Sequence, residues 1–368
     1  MWMQDVVIVG GGVMGCLTAL ELLQAGCRVT LLERGELGRE ASWAGGGIVS
    51  PLYPWRYSAP ISALARWSQD YYGALARHLL TDTGIDPEVQ PCGLLWLDMD
   101  EQDQAMQWAA QQDRPLQQVD EQFIYRQVPQ LAPGFAGALW QADLANVRNP
   151  RLIKALRARL LQFEGFALRE HCAALGLQTE AERITGVQIA GGVVSGDAVV
   201  LCAGAWGGDW LAAEGLTLPV EPVKGQMLLY RMEPGWLPSM VMAEGRYAIP
   251  RRDGHILVGS TLEHAGYDKT TTEQALASLR QSAEALLPAL AQEAPVAQWA
   301  GLRPGSPDGV PYIGPLAARP GLWLNLGHYR NGLVLAPASC RLLADLLLER
   351  DPAIDPAPYL PDARLRQG

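Results

Sequence analysis

The sequence predicts an α/β protein in which a nucleotide-type parallel sheet is interleaved with a second, strand-rich unit. Three observations predict it. The chain opens on a short apolar run, Asp5-Val6-Val7-Ile8-Val9, that leads into Gly10-Gly11-Gly12-Val13-Met14-Gly15 and a helix-like segment. A second apolar run, Asp197 to Cys202, ends in another glycine turn at Gly204. Residues 220–300 alternate strands and turns, between those elements and a C-terminal helix. Strand, helix, strand marks a parallel unit, whereas short strands spaced by turns mark a different one.

The first element is the most informative. Gly10 permits a tight turn out of the strand, Gly12 lets the backbone approach a pyrophosphate, and Gly15 lets the helix pack close to the strand. The helix shows apolar positions at Leu17, Leu20 and Leu23 and at Ala19 and Leu22, with Gly26 as its stop. Its N-terminus offers N–H groups and partial positive charge to phosphates, through residues such as Val13 and Met14. A second strand, Arg28 to Leu32, closes on Glu33-Arg34. Glu33 follows Gly15 at about the 20-residue distance expected of the acid that binds ribose hydroxyls. An acid there disfavours a 2′-phosphate, so NADP is not expected; the fingerprint leaves NAD and FAD open.

The run from Ala41 and Ser42 to Gly46, Gly47 and Ile48 is small and glycine-rich. It suits a backbone lying against a flat ligand, and equally a flexible loop. Helices are expected over 60–80, 101–112 and 150–163, the last with Leu152, Ile153, Leu156 and Leu160 on one face. A strand is expected over 92–97 and a hairpin over 184–194 with Gly191-Gly192 at its turn. Ala198 to Leu201 is expected to join the sheet of the first strand. Strands over 225–231, 246–250, 255–259 and 322–326 and helices over 272–286 and 331–349 complete the reading.

Composition narrows the function classes. The chain has 368 residues, a formal net charge of −10 and 49% hydrophobic residues. The acidic balance argues against nucleic acid and anionic membrane surfaces, and requires local arginines for any anionic substrate. No apolar run approaches the roughly 18 residues of a bilayer span. No basic segment precedes the first apolar run, so no signal peptide is expected. The six cysteines are scattered without CxxC spacing, as expected of reduced thiols in a cytoplasmic protein. The histidines show no metal-ligand spacing, and no metal is expected. No GxSxG elbow supports a hydrolase.

Three C-terminal features carry the chemistry: Gly301-Leu302-Arg303-Pro304 within a longer motif to Gly314, the run Gly327-His328-Tyr329-Arg330-Asn331-Gly332, and Arg246-Tyr247-Ala248-Ile249-Pro250-Arg251. With the N-terminal fingerprint and Ala203-Gly204-Ala205-Trp206, their order resembles the D-amino acid oxidase family of flavoproteins. The match is closest to its glycine oxidase branch and covers essentially the whole chain. The resemblance implies a Rossmann-like FAD-binding domain (1–85, 142–219 and 301–368) interleaved with an α+β substrate domain (86–141 and 220–300) on a mainly antiparallel sheet. It implies FAD as cofactor, with the adenosine half on the fingerprint, Glu33, Arg34 and the segment Ala173-Ala174. The flavin half would lie on residues 41–48 and on His328, Tyr329, Arg330, Asn331, Gly332, Leu333 and Val334.

The resemblance also implies the reaction: oxidation of glycine, small D-amino acids or N-methylglycine to an imine that hydrolyses to a 2-oxo acid and ammonia or amine. Oxygen would be the electron acceptor and hydrogen peroxide the second product. The planar fork of Arg303 suits a carboxylate through two charge-assisted hydrogen bonds, as it also suits a buried ion pair. Tyr247 would add a hydroxyl to the same group, and Arg330 would lie beside it. By the same resemblance the dehydroglycine formed would serve thiamine thiazole synthesis, and the chain would form a homotetramer. Sarcosine-type oxidases carry a flavin-bonding cysteine near the segment matching 301–308; none stands there, so FAD is expected to be non-covalent. A dehydrogenase using another acceptor, and a non-catalytic FAD-binding assembly protein, are the competing readings. Ile48 and Leu262 stand where the family can carry methionines near the pocket, and Gly245 where it can carry a larger residue.

Overall fold

Residues 4–365 are described by the computed structural model. The outermost three residues at each end of the expected domain division lie outside them. The opening apolar run folds as the strand Asp5–Val9, inside a six-stranded sheet. Across that sheet the order is Tyr312–Pro315, Leu322–Leu326, Ala198–Leu201, Asp5–Val9, Arg28–Leu32 and Phe166–Arg169. All neighbours are parallel except Tyr312–Pro315, which runs against Leu322–Leu326. Ala198–Leu201 lies beside the first strand, with Val6 opposite Ala198, as expected.

Strand alternation explains the layering. Val6 and Ile8 pack among the helices, while Val7 and Val9 pack with Leu177, Ile184, Val187 and Val194. Side chains of successive strand residues point to opposite faces, so both faces of this sheet are covered. One cover consists of the helices Val13–Gln24, Ala59–Thr83, Asn149–Leu160 and Gly332–Leu347. The other is the antiparallel sheet Gly176–Glu180, Arg183–Ile189 and Gly192–Ser195, which contains the expected hairpin. Helix ends follow local chemistry: Gly26 and Gly84 take left-handed backbone just past two of the helices, where a Cβ would strain. Thr272 caps Glu273–Leu286 by accepting from the Ala275 N–H.

The strand-rich segments form an eight-stranded sheet in the order Ala297–Gly305, Glu221–Arg231, His255–Gly259, Arg246–Pro250, Met240–Ala243, Leu94–Trp96, Gly137–Gln141 and Leu116–Asp120. It is antiparallel except between Met240–Ala243 and Leu94–Trp96. One face packs Leu228, Tyr230, Val241 and Val258 against Leu279 and Ala283 of the helix Glu273–Leu286. The other carries Met227, Met242, Tyr247 and Leu257 with Ile48, Tyr53 and Trp55. The second face therefore meets the glycine-rich loop that follows the first βαβ unit. Strand Ala297–Gly305 crosses the expected division at 300/301 and pairs along its whole length with Glu221–Arg231; we propose that the boundary falls after Gly305. Among the described residues no helix is long and apolar enough to cross a membrane.

Candidate active site

A cavity of about 560 Å³ runs from the fingerprint turn to the strands Glu221–Arg231, Arg246–Pro250 and Ala297–Gly305 of the eight-stranded sheet. This is the size of sites that bury most of a cofactor or drug-sized ligand. At one end stand Gly10, Gly12, Val13, Met14, Glu33 and Arg34, with Ala173, Ala174 and Gly204. Gly10 has φ +107°, and a Cβ on it would stand 2.5 Å from the Cys202 carbonyl oxygen. Gly15 does not line the cavity; a Cβ there would stand 1.9 Å from the Gly10 carbonyl, so its task is close helix–strand packing, as read from the sequence. The Glu33 carboxylate accepts from the Gly11 and Gly35 N–H groups, both at 2.8 Å, which fixes it at the cavity wall. Arg34 lies over the Trp206 ring at 3.7 Å, and Tyr267 stacks on that ring. Lys269 pairs with Glu40 at 2.8 Å, so the chain around Tyr267 straps this end.

The middle of the cavity is built from two loops. Ser42 lies across the helix N-terminus, its hydroxyl accepting from Val13 N–H at 2.8 Å. Three consecutive carbonyls are tied down: Gly45 by Asn149 Nδ2 (3.1 Å), Gly46 by Arg251 Nη2 (2.7 Å) and Gly47 by Val147 N–H (2.8 Å). Gly47 has φ +83°, and a Cβ there would meet the Val147 carbonyl at 2.1 Å. The glycine-rich run is thus a shaped wall, not a flexible loop. Arg251 is buried, and burial lowers its pKa to about 10, which leaves it charged at neutral pH.

On the opposite side, His328, Tyr329, Arg330, Gly332, Leu333 and Val334 line the cavity at the start of the helix Gly332–Leu347. Tyr329 has φ +48°, a costly conformation for a residue with a Cβ and one that concentrates at ligand-binding turns. Asn331, expected among the FAD-binding residues, is buried at the N-cap position of this helix without a side-chain capping bond, and donates its N–H to the His328 carbonyl. The helix end directs partial positive charge at the cavity.

The far end is built on the eight-stranded sheet. Arg303 donates Nη1–H bonds to the Lys224 and Thr261 carbonyls, each at 3.2 Å, and an Nη2–H bond to Ser260 Oγ at 2.6 Å. A guanidinium has five N–H donors. Two remain, the number a carboxylate takes. Burial, and after it the like charge of Arg330, pull the Arg303 pKa below its ordinary value. Arg303 lies flat over Gly225, where a Cβ would come within 2.3 Å of both Nη atoms. Tyr247 lines the same end, its hydroxyl 3.5 Å from Met227 Sδ, and Gly259 leaves room for both side chains. Arg330 is exposed at the edge.

Arg251, Gly225, Met227 and Ser260 were missed by sequence reasoning as site residues. Only Arg251 left a signal, as the end of the Arg246–Arg251 motif. Of the three departures from the family pattern, Ile48 lines the cavity. Leu262 is 47% exposed and outside its wall. Gly245 also lies outside it, with open space where a Cβ would stand and its N–H bonded to the Tyr53 hydroxyl. Neither of these two lines the cavity.

His328 is 1% exposed, and burial lowers its pKa from 6.5 to about 3. The unfolded chain binds this proton below about pH 6.5 while the folded one does not. The stability gained from burying neutral imidazole is therefore full above that pH and lost as pH falls toward 3. We expect the melting temperature to fall between pH 6.5 and 4, and the fall to be shallower in His328→Asn. Equal slopes in a pH series of thermal melts would contradict the assignment.

A parallel sheet with a fingerprint turn, a held ribose-type carboxylate and a cavity continuing onto an antiparallel sheet defines a dinucleotide-binding oxidoreductase. The comparisons give the family. The profile described as "FAD dependent oxidoreductase" (DAO) matches residues 5–346. The chain is 61% identical to glycine oxidase of Pseudomonas putida, over 98% of this chain and 99% of that one. It is 32% identical to the bifunctional protein ThiO/ThiG of Nostoc, over 94% of this chain and 53% of that one. The crystal structure of glycine oxidase from Geobacillus kaustophilus superposes with a TM-score of 0.91 at 32% identity, over 97% of this chain and 98% of that one. The chain belongs to the DAO family of FAD-dependent oxidoreductases. The cavity fits FAD on its own evidence: the glycine cradle at the helix end, the fixed Glu33 carboxylate, and a buried His328 Nε2 without a protein partner.

Proposed function

We propose that the protein oxidises glycine, small D-amino acids or N-methylglycine, with oxygen as acceptor. The products are the 2-oxo acid, ammonia or amine, and hydrogen peroxide. The observation that carries this reading is Arg303, wedged over Gly225 with two N–H donors to spare, beside the buried Tyr247. Arg303 and Tyr247 bind the substrate carboxylate, and Arg330 adds positive charge at the edge. Bound FAD supplies the two-electron acceptor. Its nucleotide half rests on Gly10, Gly12, Val13, Met14, Glu33, Arg34, Ala173, Ala174 and Gly204. Its flavin half rests on Ala41, Ser42, Gly46, Gly47, Ile48 and residues 328–334. The cavity cysteines, Cys172 and Cys202, stand at the nucleotide end beside Ala173 and Ala203, which supports non-covalent FAD.

The cavity carboxylates Glu33, Glu40 and Asp209 also belong to the nucleotide end. The substrate end holds two arginines and a tyrosine, so the protein orients the substrate, and no side-chain base is required when the amine arrives neutral. The buried, neutral His328 adds no charge there. Supply of the thiamine thiazole precursor, a homotetramer and a cytoplasmic location belong to the same proposal.

Peroxide yield in air across glycine, sarcosine, D-alanine and D-proline, with and without an artificial acceptor, tests it. Glycine is expected to give peroxide and one of the highest kcat/KM values. Turnover that requires the artificial acceptor would favour a dehydrogenase.

A further inference from the structure

We propose that Glu263 is the positioning residue that holds Arg303 in its carboxylate-binding pose. The inference rests on the reading of Arg303 as the carboxylate clamp. All three acceptors of Arg303 come from two short segments, Lys224 and Ser260-Thr261. The pose of the guanidinium is therefore set by how those segments are held together. Glu263 holds them. Its backbone pairs with Lys224 in both directions, at 2.9 and 3.0 Å. Its carboxylate accepts from the Thr261 hydroxyl and from Gln226 Nε2 at 2.9 and 3.2 Å, and stands 3.6 Å from Lys224 Nζ.

One carboxylate thus ties together the side chains of Lys224 and Thr261, whose carbonyls carry Arg303, through the intervening Gln226. Gln226 is fully buried, and its amide oxygen accepts from Thr272 N–H and Gln298 Nε2, which extends the tie to the next helix. The Lys224 side chain is 2% exposed, with Asp268 at 3.2 Å as its other partner. A buried ammonium needs a carboxylate, and losing one leaves the local geometry to readjust. Glu263 also acts at a distance: its negative charge raises the Arg303 pKa, against burial and Arg330.

None of these contacts touches the cavity wall, so loss of the carboxylate should loosen the clamp without removing it. Glu263→Gln and Glu263→Asp are compared with wild type as FAD-loaded enzymes. Glu263→Gln is expected to raise KM for glycine about tenfold, with kcat at saturation within about twofold. The dissociation constant of acetate, a carboxylate without an amine, read by its perturbation of the bound flavin spectrum, is expected to rise in parallel. Glu263→Asp should restore part of both. Unchanged KM and acetate affinity in Glu263→Gln, with only a lower melting temperature, would overturn the inference. Arg303→Ala in the same acetate titration separates the two ideas: acetate affinity unchanged in that variant refutes the clamp itself.

Discussion

Arg303→Ala is expected to lower kcat/KM for glycine by roughly a thousandfold, mainly through KM. Hydrogen bonds to a charged group contribute about 1.5–3 kcal/mol each, and a carboxylate on the two spare N–H donors of Arg303 makes two of them. Losing about 4 kcal/mol corresponds to about three powers of ten. The protein itself should tolerate the change. The Lys224 carbonyl keeps its second donor, the Glu263 N–H, and Ser260 lines a cavity that water can enter. Normal FAD content and a near-normal melting temperature should therefore accompany the kinetic defect. Arg303→Lys should remain impaired, since a single ammonium cannot bind the three protein acceptors and still offer a fork to the ligand. A KM for glycine within a few-fold of wild type in Arg303→Ala would remove the clamp from the account.

Gly15→Ala is expected to yield protein purified without FAD. A Cβ at residue 15 would stand 1.9 Å from the Gly10 carbonyl oxygen, a backbone atom that cannot swing aside. Either the helix Val13–Gln24 moves off the strand Asp5–Val9 or the turn at Gly10 opens. Both displace the helix N-terminus, whose Val13 N–H is held by Ser42, from the place where the pyrophosphate would bind. Overpacking of this kind costs about 1–3 kcal/mol, or several degrees of melting temperature. The loss of FAD should be the larger effect, at least a hundredfold in affinity. Gly26→Ala is the control: its φ of +89° makes alanine strained, but nothing lies within 4 Å of the new Cβ. It should lose some stability and keep FAD. Fluorescence titration of both apoproteins with FAD measures the difference; equal affinities would contradict the packing argument.

Local patterns were readable in the sequence because they are written over neighbouring residues. The fingerprint and the amphipathic face of Asn149–Leu160 depend on spacings of two to four residues. Strand pairing was less readable. Phe166–Arg169 and Leu116–Asp120 are short and partly polar, and only the neighbours Arg28–Leu32 and Gly137–Gln141 make strands of them. The site divides the same way. Arg303 and Arg330 were read as candidates because their motifs are long, and Tyr247 because its segment resembles the family's; all three line one cavity. Gly225 was not, because its importance exists only through the register that places it opposite Gly301, beneath Arg303. Arg251 likewise acquires its role from Asn146, Val147 and Gly46, which stand over a hundred positions away in the chain.

The most direct test of the central claim is anaerobic mixing of the purified yellow protein with glycine. The account predicts that the flavin absorbance bleaches, that air restores it, and that one peroxide forms for each flavin reoxidised. A flavin spectrum that stays unchanged with glycine, sarcosine, D-alanine and D-proline alike would contradict the assignment of this cavity to amino-acid oxidation.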